Sequence, residues 1–268
     1  MDTDRTPRRG WSKLGPGIGF ACITRGRLGL LLVVAAAGWG WYEMQASTLQ
    51  ARIFTAMGRE SSFRVEPGPN TAMWLPHSGP YDRRLGYSQM NNILPALRAS
   101  GYDTVAQARQ SPRFLELTER GLYPIYREKS QAGLTILDRQ GKAIYGTRYP
   151  ERQYADFAAL PPVVVAALLY IENRELLDSQ HPRRNPAVEW DRLAQAAVGQ
   201  SLRTVLPGIG RSGGSTLATQ IEKFRHSPGG RTHDAHEKLR QMASAALRAY
   251  QDGEDTQGAR KRIVLDFV

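Results

Sequence analysis

The sequence predicts a mainly α fold with one small β-hairpin, preceded by an N-terminal apolar helix and a small helical module. Three observations carry this. Leu28–Tyr42 (LGLLLVVAAAGWGWY) is a fifteen-residue run without a charge. Apolar residues recur at helical intervals through 87–130 and again from Leu160 onward. Strict apolar/polar alternation occurs once, around the DRQG turn of Leu134–Tyr145. The 268 residues are 41% hydrophobic and 23% charged, which excludes wholesale disorder. The single cysteine, Cys22, excludes a disulfide framework and a zinc ribbon. A net charge of +11 points to an anionic partner without naming it.

The charge has an address. Arg5, Arg8, Arg9, Lys13, Arg25 and Arg27, opposed only by Asp2 and Asp4, put +4 before the apolar run. Trp39, Trp41 and Tyr42 close it. A basic flank, an apolar run and an aromatic belt describe a single-pass anchor over 28–44. Residues 1–27 then form a cytoplasmic tail and the main part lies outside the cytoplasmic membrane. The run is shorter than the ~20 residues that span a bilayer, and the flanking arginines and indoles would extend it. A cleaved signal peptide is the alternative, but no clean small-x-small site follows closely. The exported part carries the remaining +7, dispersed rather than in a stripe, so nucleic acid is not the expected partner.

Residues 45–80 read as a short helix and a Pro/Gly linker. In 87–130, Ile93, Leu94, Leu97, Val105 and Ala108 fall at helix-like intervals. Gly101 ends one helix, and Ser111-Pro112 opens the next with Ser as cap and Pro at the first position. This all-α module, 45–130, holds no catalytic constellation and reads as a spacer or docking element, with cell-wall synthesis proteins its expected partners once the resemblance below is considered. After the hairpin, Pro161-Pro162 starts a helix whose body, Val163–Ile171, is apolar all round and is expected to be buried. Val188–Val198, continuing to Val205, reads as a core helix. The last amphipathic helix, from Thr232, carries Leu239, Met242, Ala243, Ala246, Leu247 and Tyr250 on its apolar stripe.

Three places could carry chemistry. Glu172 ends the apolar helix, where a partly desolvated carboxylate suits a general base; a solvent-facing carboxylate or one paired with Arg174 is the plainer reading. Gly213-Gly214-Ser215-Thr216 lets a backbone approach a ligand and caps a helix start that favours an anion. It is not a P-loop, because no Gly-Lys-Ser/Thr follows. Lys223, Arg225, His226, Arg231 and Lys238 follow as a basic stretch. His233 and His236 lack a third ligand and are expected in solvent.

The order of these pieces resembles the peptidoglycan glycosyltransferase family, the lysozyme-like module of bifunctional penicillin-binding proteins and monofunctional transglycosylases. The resemblance covers about 134–268. The family's first motif begins Glu-Asp, and Glu172-Asn173 takes its place. Its second reads Gly-Gly-Ser-Thr-Ile-Thr-Gln-Gln with a Lys three residues on; Gly213–Gln220 and Lys223 match it. Its Arg and Arg-Lys-x-x-Glu positions correspond to Arg231 and to Glu237–Gln241, and its closing segment to Ile263–Val268. The family domain continues past that point, so the domain is expected to be C-terminally incomplete.

The resemblance implies a membrane-bound enzyme that polymerises lipid II into glycan strands. Glu172 would be the catalytic base, and Ser215, Thr216, Gln220, Lys223, Arg231 and Lys238 would bind substrate. It implies no protein-held metal; a divalent cation at the pyrophosphate is the one candidate cofactor. The departures are Asn173 for Asp, Leu176 for an aromatic, Asn185 for His and Gln241 for the second glutamate. They imply activity weaker than usual or none, so a degenerate glycan- or lipid II-binding scaffold is the alternative. A lysozyme-like lytic enzyme is less favoured, because cleaving polymer needs no pyrophosphate site.

Overall fold

The computed structural model describes residues 17–76, 78–125, 131–151, 153–190, 192 and 215–268. The chain divides into two units, Met1–Glu43 and Met44–Val268. In the first, the apolar run lies within a 30-residue helix, α1 (Gly17–Ala46). The large apolar side chains from Leu28 to Tyr42 are exposed. Among the described residues no helix is long and apolar enough to cross a membrane. At 1.5 Å per residue the uncharged run by itself covers about 22 Å of a ~30 Å hydrocarbon core.

The second unit is mainly helical. It begins with α2 (Thr48–Glu60) and strand β1 (Phe63–Pro67). Short α3 (Pro80–Arg84), α4 (Met90–Ala99), strand β2 (Ala106–Gln110) and α5 (Pro112–Glu119) follow. The hairpin strands are β3 (Ala132–Leu137) and β4 (Ala143–Tyr149). The remaining helices are α6 (Pro162–Glu172), α7 (Leu217–His226), α8 (Ala235–Ala249) and α9 (Gln257–Phe267).

The capping residues behave as their chemistry dictates. Ser111 Oγ accepts from the Phe114 amide at the start of α5, with Pro112 at its first position. Gly101 takes a positive φ of 84° past the end of α4. The β3–β4 hairpin pairs antiparallel with an irregularity at Ile136/Leu137, and Asp138 Oδ1 accepts the Gln140 and Lys142 amides within its turn.

Three expectations are corrected. The 45–130 segment is not all-α: β1 and β2 pair antiparallel, Phe63 opposite Gln110 and Pro67 opposite Ala106. Ala108 therefore sits in a strand. The partner strand lies about forty residues upstream, where a local periodicity window cannot see it. The apolar helix α6 is not buried all round. Val165, Leu168 and Leu169 pack on Leu160, Leu176, Leu217 and Val264, while Val163, Tyr170 and Ile171 on the other side are exposed. The stripe of α8 is also narrower than expected: Ala246, Leu247 and Tyr250 are buried but Leu239 is exposed. The helix predicted from Val188 falls almost wholly outside the described residues.

Segment 44–125 is packed onto the helices that follow it. Phe114, Leu117 and Ile125 share a core cluster with Leu247 of α8. The Tyr123 amide donates to Ser244 Oγ at 2.9 Å, and Arg248 donates to the Pro124 carbonyl at 2.7 Å. At the start of α3, Gly79 lies so close to α7 that a Cβ would fall 1.7 Å from the Arg225 carbonyl oxygen. Only glycine permits that approach. It brings Asp82 Oδ1 to 2.9 Å from His226 Nδ1, with both side chains buried.

A buried arginine fixes the loop that follows Glu172. Arg260 of α9 donates to the carbonyls of Asp178 (2.7 Å), His181 (2.5 Å) and Arg184 (2.9 Å) and to Thr256 Oγ1 (2.9 Å). Its charge meets carbonyl dipoles rather than a carboxylate, and burial pulls its pKa down. Tyr250 donates to the Arg183 carbonyl at 2.6 Å and Thr256 to that of Arg184 at 2.8 Å. Arg260→Met removes every donor and orphans buried carbonyls at ~1–3 kcal/mol each. Thermal unfolding should show a Tm lower by ~6–12 °C for about 3 kcal/mol lost. An unchanged Tm would mean that the loop is held by other contacts.

Candidate active site

Glu172 is the last residue of α6. Asn173 turns extended (φ −159°, ψ 90°), so the carboxylate leaves from the helix end, half-buried. Its Oε2 accepts a 2.9 Å hydrogen bond from Nε2 of Gln220, on the first turn of α7. Arg192 Nη1 donates to the Glu172 backbone carbonyl at 2.6 Å, and Arg192 Nε lies 3.0 Å from Glu189 Oε2. Arg174, the partner considered for Glu172 from sequence, instead donates to the Tyr170 carbonyl and lies over its ring at 4.1 Å.

The start of α7 is built by two threonines. The Thr219 amide donates to Thr216 Oγ1 and the Thr216 amide to Thr219 Oγ1, a reciprocal cap. Thr216 is fully buried, so its hydroxyl shapes the helix start. Ser215 precedes it, half-buried, and its Oγ accepts a 2.6 Å hydrogen bond from Lys238 Nζ of α8. Burial, and then the charge of nearby Lys223, hold Lys238 below the usual lysine range.

Five of the seven sequence-predicted residues fall into two sets: Glu172 with Gln220, and Ser215 with Lys238, which feels the charge of Lys223. Thr216 supports them from within. Arg231 does not join them; it is exposed beyond the Pro228–Gly230 turn at the far end of α7 and makes no side-chain hydrogen bond or ion pair with the described residues. Gly213 and Gly214 lie outside the described residues. Chemically, two ammonium groups, a hydroxyl and the leading amides of a helix are complementary to an anion, and the Glu172 carboxylate is held by Gln220 of the same helix.

The positions that depart from the family pattern have structural employment. Gln241 is fully buried; its Nε2 donates to Ser227 Oγ at 2.9 Å and its Oε1 accepts from Thr232 at 3.1 Å. Asn185 Nδ2 donates to Gln50 and its amide to Ser47, tying the loop to the start of α2. Leu176 is in the core. His233 and His236 are exposed, and His233 Nε2 sits 3.1 Å from the Pro228 carbonyl. Sequence reasoning missed Arg192. Its target is a backbone carbonyl twenty residues away, which leaves no local signal. A separate cleft of about 180 Å³ lies on the opposite face of α7, between α8 and α9 and rimmed by the Arg225–Asp266 and Arg262–Asp252 ion pairs.

Two outcomes follow from this geometry. Lys238 has a depressed folded pKa, so its help to a bound anion is complete below that value and is lost as pH rises through it, before 10.5 is reached. Pyrophosphate titrations from pH 7 to 10 should show affinity falling earlier in wild type than in Lys238→Arg; coincident curves would remove Lys238 from the anion site. Gln241→Glu loses the donor to Ser227 and adds a buried carboxylate one turn from buried Glu237. Denaturant unfolding at pH 7 should show a loss of about 2–4 kcal/mol, smaller at pH 4 where the new group is neutral.

Residues 140–264 match the family described as transglycosylase. No curated protein and no solved structure is significantly similar to the chain. The matched segment contains Glu172, the capped start of α7, both site lysines and most of α9. With its motifs and this geometry, the chain carries a transglycosylase-family domain over residues 140–264, consistent with a peptidoglycan glycosyltransferase module.

Proposed function

We propose that this protein is a membrane-attached, lysozyme-like peptidoglycan glycosyltransferase that extends glycan strands from lipid II. The observation that carries the reading is that one helix, α7, holds the Glu172 carboxylate through Gln220 and carries Lys223, while Lys238 bonds Ser215 just before its start, within a transglycosylase domain. Glu172 takes the proton of the acceptor 4-hydroxyl. The oxygen attacks the donor sugar C1 with inversion, and the C1–O bond to the lipid pyrophosphate breaks. Charge grows on the departing phosphate, where Lys223, Lys238 and the α7 amides stabilise it. Ser215 orients the phosphate through the hydrogen bond that it shares with Lys238. Arg231 is the outlying cation of the set.

The residues do not fit a protein-held divalent cation. Beside the single Glu172 carboxylate the groups assigned to the site are ammonium ions, and among the described residues no cluster of three His, Cys, Asp or Glu could hold a metal. No step is routed through one. Membrane attachment belongs to the same proposal: Leu28–Tyr42 seats in the bilayer, Arg25 and Arg27 reach the cytoplasmic interface, and Trp39, Trp41 and Tyr42 sit at the other. The main unit then acts outside the cytoplasm, where residues 45–130 could meet other cell-wall proteins.

One observation favours a second reading, a scaffold that holds lipid II without chemistry. Asn173 and Gln241 stand where the family has acids, and Gln241 is spent on Ser227 and Thr232. A polymerisation assay on full-length protein, wild type beside Glu172→Gln, separates the two. Polymer from wild type with a loss of about 10²–10⁴-fold in the variant is expected for a general base. Lipid II bound but not polymerised by wild type would establish the scaffold. Equal polymer from both would remove Glu172 from its role.

A further inference from the structure

The end of α6 is fastened twice. Gln220 Nε2 holds the Glu172 carboxylate by Oε2 at 2.9 Å, and Arg192 Nη1 holds the Glu172 backbone carbonyl at 2.6 Å. Oε1 takes no hydrogen bond from the described residues. We propose that Gln220 and Arg192 are positioning residues that aim Glu172, and that Oε1 is the oxygen that accepts the acceptor's proton. The inference rests on the glycosyltransferase reading and reassigns Gln220, which the motif resemblance makes a substrate ligand, to the base itself.

Carbonyls in the last turn of a helix have no partner within it, and the negative end of the helix dipole lies there. Arg192 meets one of these carbonyls with a cation and is itself steadied by Glu189. That fixes the backbone from which the Glu172 side chain springs. The side chain has three further torsions, each of which costs entropy to freeze and leaves the carboxylate free to swing. Gln220 removes that freedom from the other side. It projects from the first turn of α7, whose position is set by the Thr216–Thr219 cap and the buried face of that helix. A neutral amide suits the task. A lysine or arginine in its place would hold the carboxylate more tightly and make it a weaker base, whereas an amide bond to one oxygen leaves the other basic. The same two contacts set the distance between base and anion site, since Gln220 and Lys223 project from one helix.

The test has two arms. In polymerisation kinetics, Gln220→Met and Arg192→Met should lower kcat by ~10–10²-fold with KM nearly unchanged, the signature of a misaimed base. Gln220→Asn, one methylene shorter, should not restore kcat. A rise in KM at unchanged kcat would overturn the proposal and make these residues substrate ligands. The second arm needs no turnover. With selectively ¹⁵N-glutamine-labelled protein, the Gln220 side-chain amide resonance should shift as Glu172 titrates and should stop doing so in Glu172→Ala. An amide that ignores Glu172 would overturn the positioning role whatever the activity. If instead the amide reports Glu172 and wild type makes no polymer, the positioning contact stands and it is the glycosyltransferase reading that fails.

Discussion

The placement of helix α7 is the constraint on which the rest of the structure depends. Its buried side carries Glu222, 1% exposed, and His226, 3% exposed. A carboxylate cannot be buried without charged or hydrogen-bonded partners. Glu222 finds them in Arg248, whose Nε lies at 2.5 Å, and in the His226 ring at 3.8 Å; Asp82 reaches the other side of that ring. These groups come from three separate parts of the chain: α3, α7 and α8. Removing one member leaves a buried charge uncompensated, so the set locks the amino-terminal segment, the site helix and the long helix behind it into one arrangement. The outer face of α7 is then free to carry Gln220 and Lys223.

This division of labour explains the two polar regimes of the domain. On the inner face of α7, ionic groups are paired and dry: Asp82, Glu222, His226 and Arg248. A neighbouring hydrogen-bonded set, Tyr123, Ser227 and Gln241, is also buried, with Thr232 at its exposed edge, and burial raises the Tyr123 pKa. At the site, Lys238 loses proton affinity chiefly because it is half-buried, and then because Lys223 adds a second positive charge. A half-buried ammonium beside a second cation carries a cost that a bound anion relieves. That cost is what a site stores and a structural network avoids.

Much of this was legible in the sequence, for identifiable reasons. The hairpin, the caps at Ser111 and Thr216, the Pro161-Pro162 start and the end of α6 at Glu172 are set by residues within a few positions of each other, and local rules reach that far. The motif spacing singled out residues that the fold joins in pairs, Glu172 with Gln220 and Ser215 with Lys238, because it reflects one helix start and the next helix. What stayed hidden depends on distant partners. The β1–β2 ladder, the Asp82–His226 contact across 144 positions and the Arg192 bond to the Glu172 carbonyl leave no periodic trace. The apolar run of α6 misled in the other direction, because hydrophobicity on all sides says that a helix can be buried, and only the packing of Leu160, Leu217 and Val264 says which side is.

Helices α6, α7 and α8 are proposed to bring a carboxylate base and a paired-lysine anion site onto one surface. A crystal structure of the protein with inorganic pyrophosphate tests it most directly. The account predicts phosphate oxygens within hydrogen-bonding distance of Lys223 and Lys238 Nζ and of Ser215, with Gln220 still on Glu172. Pyrophosphate bound elsewhere, with Lys223 and Lys238 turned apart to solvent, would contradict it.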